Sequence, residues 1–259
     1  VAAVRAKAVQ VVAPLIDQVT FADSNARRRS PKNFHASSID DCGRKQWYGV
    51  RGYPQAEETE EHPEWKRSAT AGDALHEIWQ DMLLRTGLIP KTDEFFRHIG
   101  VSREQYPESQ RKTLPEYAIE LPLPPNEYLT SGRIDAVVKI NGEYWYLDIK
   151  TVDQKKFDDG ASSWKFKKYK AQLQVYMHLT GIRKSLILLV NRNDLTQREY
   201  LIEYDAEWCE KQFGKAGRIT KLKIFVDLNI LPPAEPDKFA CNFCPFVMIC
   251  AMDFQRKDD

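Results

Sequence analysis

Residues 141 and 142 are Asn-Gly, and they lie between two short runs of β-branched, aromatic and aliphatic residues at 132–138 and 144–150. That dipeptide between such runs is the strongest short-range signal for a two-residue hairpin with a type I′ turn. The turn fixes the register. Ile140 faces Glu143, and the pairing continues outward until Asp135 faces Asp148. Ile134, Ala136 and Val138 then share one side of the ribbon with Ile149, Leu147 and Trp145, an apolar face that must be buried. Arg133, Asp135, Asp148 and Lys150 share the other side and face away from it. Directly opposed carboxylates stand about 5 Å apart and repel each other. A fold keeps such a pair when a cation or a shared proton offsets the repulsion. Hard oxygen donors at one ion's width suit Mg2+ or Mn2+ rather than zinc. Lys150 can orient or deprotonate an attacking water, or neutralise charge on a phosphoryl oxygen. The pattern points to hydrolysis; the plainer alternative is an exposed strand pair balanced by Arg133 and Lys150.

At 259 residues, 42% hydrophobic and 29% charged, the chain has an ordinary soluble composition and is long enough to bury a full core, as one domain with insertions or as two. A net charge of +1 argues against coating nucleic acid through bulk charge, but not against a local basic groove. Cations gather with aromatics at Lys155-Lys156 and along 164–170, and acids gather at 57–61. No apolar run approaches membrane-spanning length and no signal-peptide pattern is present, so the chain reads as cytoplasmic, with no membrane partner. It begins at Val1, and a targeting segment upstream would not be visible.

Residues 9–16 form a short apolar stretch and Arg27-Arg28-Arg29 a basic patch, neither with a firm assignment. The Ser and Asp residues at 37–41 mark a helix start around Cys42. The stretch 57–68 reads as a polar loop. From Ala71, residues Leu75, Ile78, Trp79, Met82 and Leu83 recur at helical spacing, with His76 beside them and Gly87 as a stop. Residues 90–114 read as an irregular surface excursion, and 116–123 as a first strand. After the hairpin come a helix over 164–180, strands over 185–190 and 199–204, and a helix over 206–229. The helix over 164–180 predicts a parallel crossover between its flanking strands. The order implies a central mixed sheet with helices on both faces.

Five cysteines are an odd count, awkward for a disulfide framework, and Cys241-x2-Cys244-x5-Cys250 has metal-ligand spacing. It supplies three thiolates, and Cys42 and Cys209 are the choices for a fourth.

Gly72-Asp73-Ala74-Leu75-His76, Gly132-Arg133-Ile134-Asp135, Asp148-Ile149-Lys150 and Gln172-Leu173-Gln174-Val175-Tyr176 occur in that order. Together they resemble the RecB-like branch of the PD-(D/E)XK nuclease superfamily. The resemblance covers about residues 37–250 and implies an α/β fold: a restriction-endonuclease-like core with a central mixed β-sheet flanked by helices. It carries His76, Asp135 and Asp148 over as ligands of Mg2+ or Mn2+ and Lys150 as the catalytic lysine. Asp stands at 148 where many relatives have Glu. Gln172 and Tyr176, one helical turn apart, match the branch's signature helix beside the active site, implying that they contact DNA.

The same branch contains iron-sulfur nucleases, including a CRISPR-associated nuclease and the AddB helicase-nuclease subunit, in which one cysteine precedes the core and three follow it. By that pattern Cys42, Cys241, Cys244 and Cys250 would hold a 4Fe-4S cluster, zinc being the alternative, and Cys209 is a bystander. Such a cluster would join the N- and C-terminal segments. The implied organisation is an N-terminal segment over 1–36, a nuclease domain over 37–250 with its core at about 71–205, and a tail over 251–259.

The implied activity is metal-dependent hydrolysis of DNA, by an exonuclease preferring single-stranded or frayed ends. A structure-specific endonuclease and a vestigial DNA-binding module are the alternatives. Trp164 and Phe166 could stack on unpaired bases while Lys165, Lys167 and Lys168 follow the phosphates. No helicase motif is present, so a helicase, recombinase or integrase partner would supply any unwinding.

Overall fold

The computed structural model describes residues 33–56 and 63–255. The apolar stretch at 9–16, the arginines at 27–29, the acidic run at 57–61 and the end of the tail lie outside the described residues. In chain order the strands are β1 (Phe34–His35), β2 (Leu121–Pro122), β3 (Thr130–Ser131), β4 (Arg133–Ile134), β5 (Ala136–Ile140), β6 (Glu143–Val152), β7 (Lys184–Asn191) and β8 (Gln197–Glu203). The helices are α1 (Gly43–Val50), α2 (Pro63–Arg85), α3 (Thr92–His98), α4 (Glu108–Arg111), α5 (Gln154–Asp159), α6 (Trp164–Thr180), α7 (Ala206–Phe213), α8 (Arg218–Asp227), α9 (Lys238–Asn242) and α10 (Val247–Gln255).

The Asn-Gly hairpin forms as expected. Asn141 and Gly142 both take positive φ, 50° and 85°, the requirement of a type I′ turn. The ladder runs from Ile140 opposite Glu143 to Ala136 opposite Leu147. β6 then pairs with β7 in parallel, and β7 with β8 antiparallel, giving a mixed sheet in the order β5-β6-β7-β8. α6 is the expected crossover between the parallel strands.

β6 is central and buried on both faces, not one. Ala136, Val138, Leu147, Ile149, Leu188 and Val190 pack under Trp79 and Leu83 of α2. On the opposite face Val137, Tyr146 and Ile187 pack with Leu173, Tyr176 and Met177 of α6 and with Phe95 and Phe96 of α3.

Several boundaries differ from expectation. The stretch read as a loop is partly helix: α2 starts at Pro63, a residue whose fixed φ suits the first helical turn. Ile78 and Met82 of the expected apolar stripe are exposed, each at 50%. The region 90–114 holds α3, a 3-10 turn and α4, and buries Phe95, Phe96 and Tyr106. Of the strand expected over 116–123, only Leu121–Pro122 pairs. The helix expected over 206–229 breaks between Gly214 and Gly217 into α7 and α8.

The two ends of the described chain pack on each other. On α1, Trp47 Nε1 donates to the Phe225 carbonyl (3.2 Å), Arg44 Nε to that of Pro232 (3.0 Å) and Tyr48 OH to Asp253 (2.6 Å). Trp47, Tyr48 and Phe246 are buried together.

Candidate active site

The hairpin ladder stops one residue short of the aspartates. Ile134 pairs with Leu121 of β2, so the strand changes partner at Asp135, which lies in a bend between β4 and β5. The bend also turns Ile134 over into the cluster of Val137 and Tyr146, away from Ala136 and Val138. Asp135 and Asp148 are therefore not a ladder pair, and Ile134 is not on the expected face. The carboxylates nevertheless converge. Asp135 Oδ2 accepts from the Ile149 N–H (3.0 Å), lies 3.1 Å from His76 Nε2 and 3.6 Å from Lys150 Nζ. Lys150 Nζ donates to Asp148 Oδ1 (2.6 Å). Arg133 does not join them: it pairs with Glu120 (2.7 Å).

Asp148 is only 1% exposed; Tyr169 and Tyr176 of α6 lie near enough to feel its charge, with Lys150 Nζ 5.3 Å from the Tyr169 ring centre. Its Oδ2 is buried with no hydrogen-bond partner. Leaving such an oxygen unmet carries a desolvation penalty of about 1–3 kcal/mol, more for a charged group. Burial pushes Asp148 up to about 7, helped by the charge of Asp135 and opposed by Lys150. Asp135 goes the other way: burial would raise it, but Lys150, His76 and the Ile149 N–H hold it down at about 2. For Lys150, burial is outweighed by Asp148 and Asp135, and its pKa is raised. The hydrogen bond to Asp135 also raises His76, against burial. The repulsion between the carboxylates is thus offset by the Lys150 ammonium.

No group of three His, Cys, Asp or Glu side chains among the described residues stands in a metal-ligand arrangement. The donors nevertheless fit a hard divalent cation: two carboxylates, one with an unpartnered buried oxygen, beside an imidazole. Asp135 and His76 line a cleft of about 710 Å3, open to solvent, with Lys150, Ser68, Asp73, Glu120, Lys156, Lys165, Tyr169 and Arg192, and Asp148 lies buried behind Lys150. His76 reaches the cleft because α2 lies close to β6; a Cβ on Gly72 would come within 3.1 Å of Thr151 Oγ1.

Gln172 and Tyr176 are adjacent as expected but are 9% and 2% exposed, which removes them from any surface that DNA could touch. Gln172 Nε2 donates to Tyr176 OH (2.6 Å), which donates to the Arg133 carbonyl (2.9 Å). A Cβ on Gly132 would meet the Tyr176 ring at 2.8 Å, so glycine is needed there for the ring to approach. The pair holds β4 in place just before Asp135 and is a positioning element.

A family model of the PD-(D/E)XK nuclease superfamily matches residues 45–251, most of the chain. The chain belongs to the PD-(D/E)XK nuclease superfamily. Its mixed sheet with flanking helices agrees with that membership. Among solved structures, SSO0001 is similar with a TM-score of 0.51 and 16% identity, over 93% of this chain and 96% of that one. An alkaline exonuclease from Laribacter hongkongensis, LHK-Exo, is similar at a TM-score of 0.43 and 14% identity, over 82% of this chain and 95% of that one. At these identities the first likeness speaks for the fold alone. No curated protein sequence matches.

The remaining expected residues of this superfamily member divide by exposure. Trp164 is 60% exposed, but Phe166 is buried at 8% and packs edge-on against Tyr200, so it is a core residue and not a stacking platform. Of the lysines on α6, Lys165 lines the cleft, Lys168 pairs with Asp41 (3.1 Å) and Lys167 is exposed. Lys156, from the basic-aromatic stretch, lines the cleft too, and Glu120 and Arg192 line it without having stood out in sequence. Arg192 carried one faint signal, as the polar residue just past an apolar strand.

None of the five cysteines is in a disulfide. Burial raises the Cys244 pKa, and Cys42 and Cys241 lie near enough to raise it further. Arg44 NH1 donates to Cys250 Sγ (3.5 Å). Cys209 is fully buried against Gln174, apart from this group. Among the described residues no helix is long and apolar enough to cross a membrane.

Proposed function

We propose that this chain is a metal-dependent deoxyribonuclease hydrolysing phosphodiester bonds, an exonuclease preferring single-stranded or frayed ends. The observation that carries the reading is the buried, unpartnered Oδ2 of Asp148 beside Lys150, which with Asp135 and His76 lines an open cleft. Asp148, Asp135 and His76 would hold Mg2+ or Mn2+. When bound, the ion supplies Lewis-acid polarisation of a phosphoryl oxygen and lowers the pKa of water. Lys150 stands as a cation where charge accumulates on the phosphoryl group, and orients the attacking water. Gln172 and Tyr176 act through the backbone of β4 and do not touch the strand. Trp164, exposed between Lys165 and Lys168, offers a ring on which an unpaired base stacks. Any unwinding of duplex falls to a helicase, recombinase or integrase partner.

The test is digestion of single strands labelled at either end, beside a closed circle, in Mn2+ and in EDTA. The labelled strands should be degraded in Mn2+ only, with the circle intact. Cutting of the circle would replace the exonuclease by an endonuclease on the same site. No digestion with Mn2+ or Mg2+ would leave a vestigial binding module.

We further propose a 4Fe-4S cluster on Cys42, Cys241, Cys244 and Cys250. It rests on the family pattern of one cysteine before the core and three after it; Cys42 and Cys241 are near enough to act on Cys244 and Cys250 Sγ accepts an N–H, although no three of the four stand in a ligand arrangement. Protein purified without oxygen should be brown and contain iron and labile sulfide, and Cys209→Ser should keep the colour. A colourless protein with one zinc per chain would overturn the cluster and leave the nuclease reading standing.

A further inference from the structure

The cleft is electrically divided. Asp73, His76, Glu120 and Asp135 line one wall; Lys156, Lys165 and Arg192 line the other, and Lys150 lies between them. The basic wall is assembled at the carboxyl ends of the parallel strands β6 and β7, where Val152 pairs with Asn191 and the Arg192 N–H donates to the Val152 carbonyl (2.9 Å). Open α/β sheets bind ligands at this end.

These cations are not cancelled locally. Lys156 is paired with Asp153, which also caps α5. Lys165 has no carboxylate partner among the described residues; its Nζ lies 5.7 Å from the Trp164 ring centre. Burial, then Lys156, lowers its pKa, and Arg192 and Lys168 add to the effect against Asp153 alone. The Arg192 guanidinium is oriented by neutral groups, NH1 donating to the Ser68 carbonyl (3.1 Å) and to the Ser68 hydroxyl, which leaves its other donors for a ligand. Asp153 can neutralise one of the three charges. Two charges of surplus at a partly buried wall call for an anion.

Resting on the nuclease reading of the cleft, we propose that Lys156, Lys165 and Arg192 form a subsite for a second phosphate of the substrate, distinct from the one being cleaved. The shared ligand chemistry is a phosphate group, either a terminal monoester or the neighbouring internal diester. Arg192 and Lys165 supply the charge-assisted hydrogen bonds, and Lys156 with Asp153 sets their orientation.

The experiment measures binding of a short single strand to the full chain in EDTA, so that no cleavage enters. The strand carries a 5′-phosphate, a 3′-phosphate or neither, and binding is followed across a salt series. Arg192→Ala and Lys165→Ala should each weaken binding about tenfold or more and reduce the salt slope by about 0.7. Lys211→Ala, a distant surface control, should do neither. A loss confined to one phosphorylated strand identifies a terminal phosphate; an equal loss on all three identifies an internal one. Arg192→Lys should restore part of the affinity and all of the salt slope, which a purely structural role for Arg192 would not produce. If both alanine variants matched the control in affinity and slope, the subsite would be wrong, whatever the enzyme did to DNA in Mn2+. Absence of cleavage with phosphate-dependent binding intact would instead remove the nuclease reading and spare the subsite.

Discussion

Asp148→Asn is expected to lower Mn2+-dependent cleavage of a labelled oligonucleotide by on the order of 10³-fold or more, the scale set by losing a charge placed against the transition state. Asparagine keeps the shape of the side chain beside Tyr169 and Tyr176, so packing is retained. It removes the charge that burial makes expensive at this position, and Lys150 still has Asp135 at 3.6 Å. The folded state should therefore be no less stable: in EDTA the variant should melt at or above the wild-type temperature. Mn2+ should raise the wild-type Tm and not that of the variant, because ligand-linked stabilisation requires the binding site. Lys150→Ala should abolish cleavage too, but at a cost in stability of about 3–5 kcal/mol, since it strands the buried carboxylate of Asp148, while Asp135 keeps His76 and the Ile149 N–H. Both residues could be removed without touching the fold only from a hairpin with a solvent-facing side, and Asp148 has none. Wild-type cleavage by Asp148→Asn would sink the assigned chemistry.

What could be read from the sequence was whatever is fixed by residues close together in it. The Asn-Gly turn set the register from 136 to 140 correctly, because a two-residue turn admits one pairing. It failed at Asp135, where the chain leaves β6 for β2, a partner more than ten residues away that alternation cannot announce. Alternation also misled on burial. In Tyr144-Trp145-Tyr146-Leu147 aromatics occur on both sides of the strand, the mark of a strand covered on both faces. The burial of Phe95, Phe96 and Tyr106 was hidden because three aromatics in a polar stretch show neither helical nor strand period. His76, Asp135, Asp148 and Lys150 were legible as a set through their resemblance to a family pattern, and the fold brings them together. Glu120 and Arg192 were not, since they reach the cleft from different elements with at most a faint local signal, whereas Lys156 was legible only as part of the basic-aromatic stretch. The Gln172 and Tyr176 pair was legible as one helix face, but whether that face meets DNA or β4 is decided by what packs on it.

The same limit separates the two aromatics at the start of α6, and it yields a large difference in stability. Both lie in one basic-aromatic stretch, two residues apart, which on a helix directs them to different sides. Phe166 packs into the main core with its ring centre 4.9 Å from that of Tyr200, whereas Trp164 is 60% exposed and meets Lys165 and Lys168. Phe166→Ala removes a buried ring and leaves a cavity, a loss of about 3–5 kcal/mol. At about 2–4 °C per kcal/mol for a chain of this size, Tm should fall by roughly 6–20 °C. Trp164→Ala forfeits only exposed cation–π contacts, about 0.5–1 kcal/mol, and Tm should move by a few degrees at most. Binding should reverse the order. Trp164→Ala should weaken single strands by about 1–3 kcal/mol and duplex by less, because a stacked-in base pair offers no free face. Phe166→Ala, assayed below its lowered Tm, should bind both as the wild type does. Equal melting losses in the two variants would mean that the helix is rotated relative to the sheet, and Lys165 would then no longer stand beside Arg192 on the basic wall of the cleft.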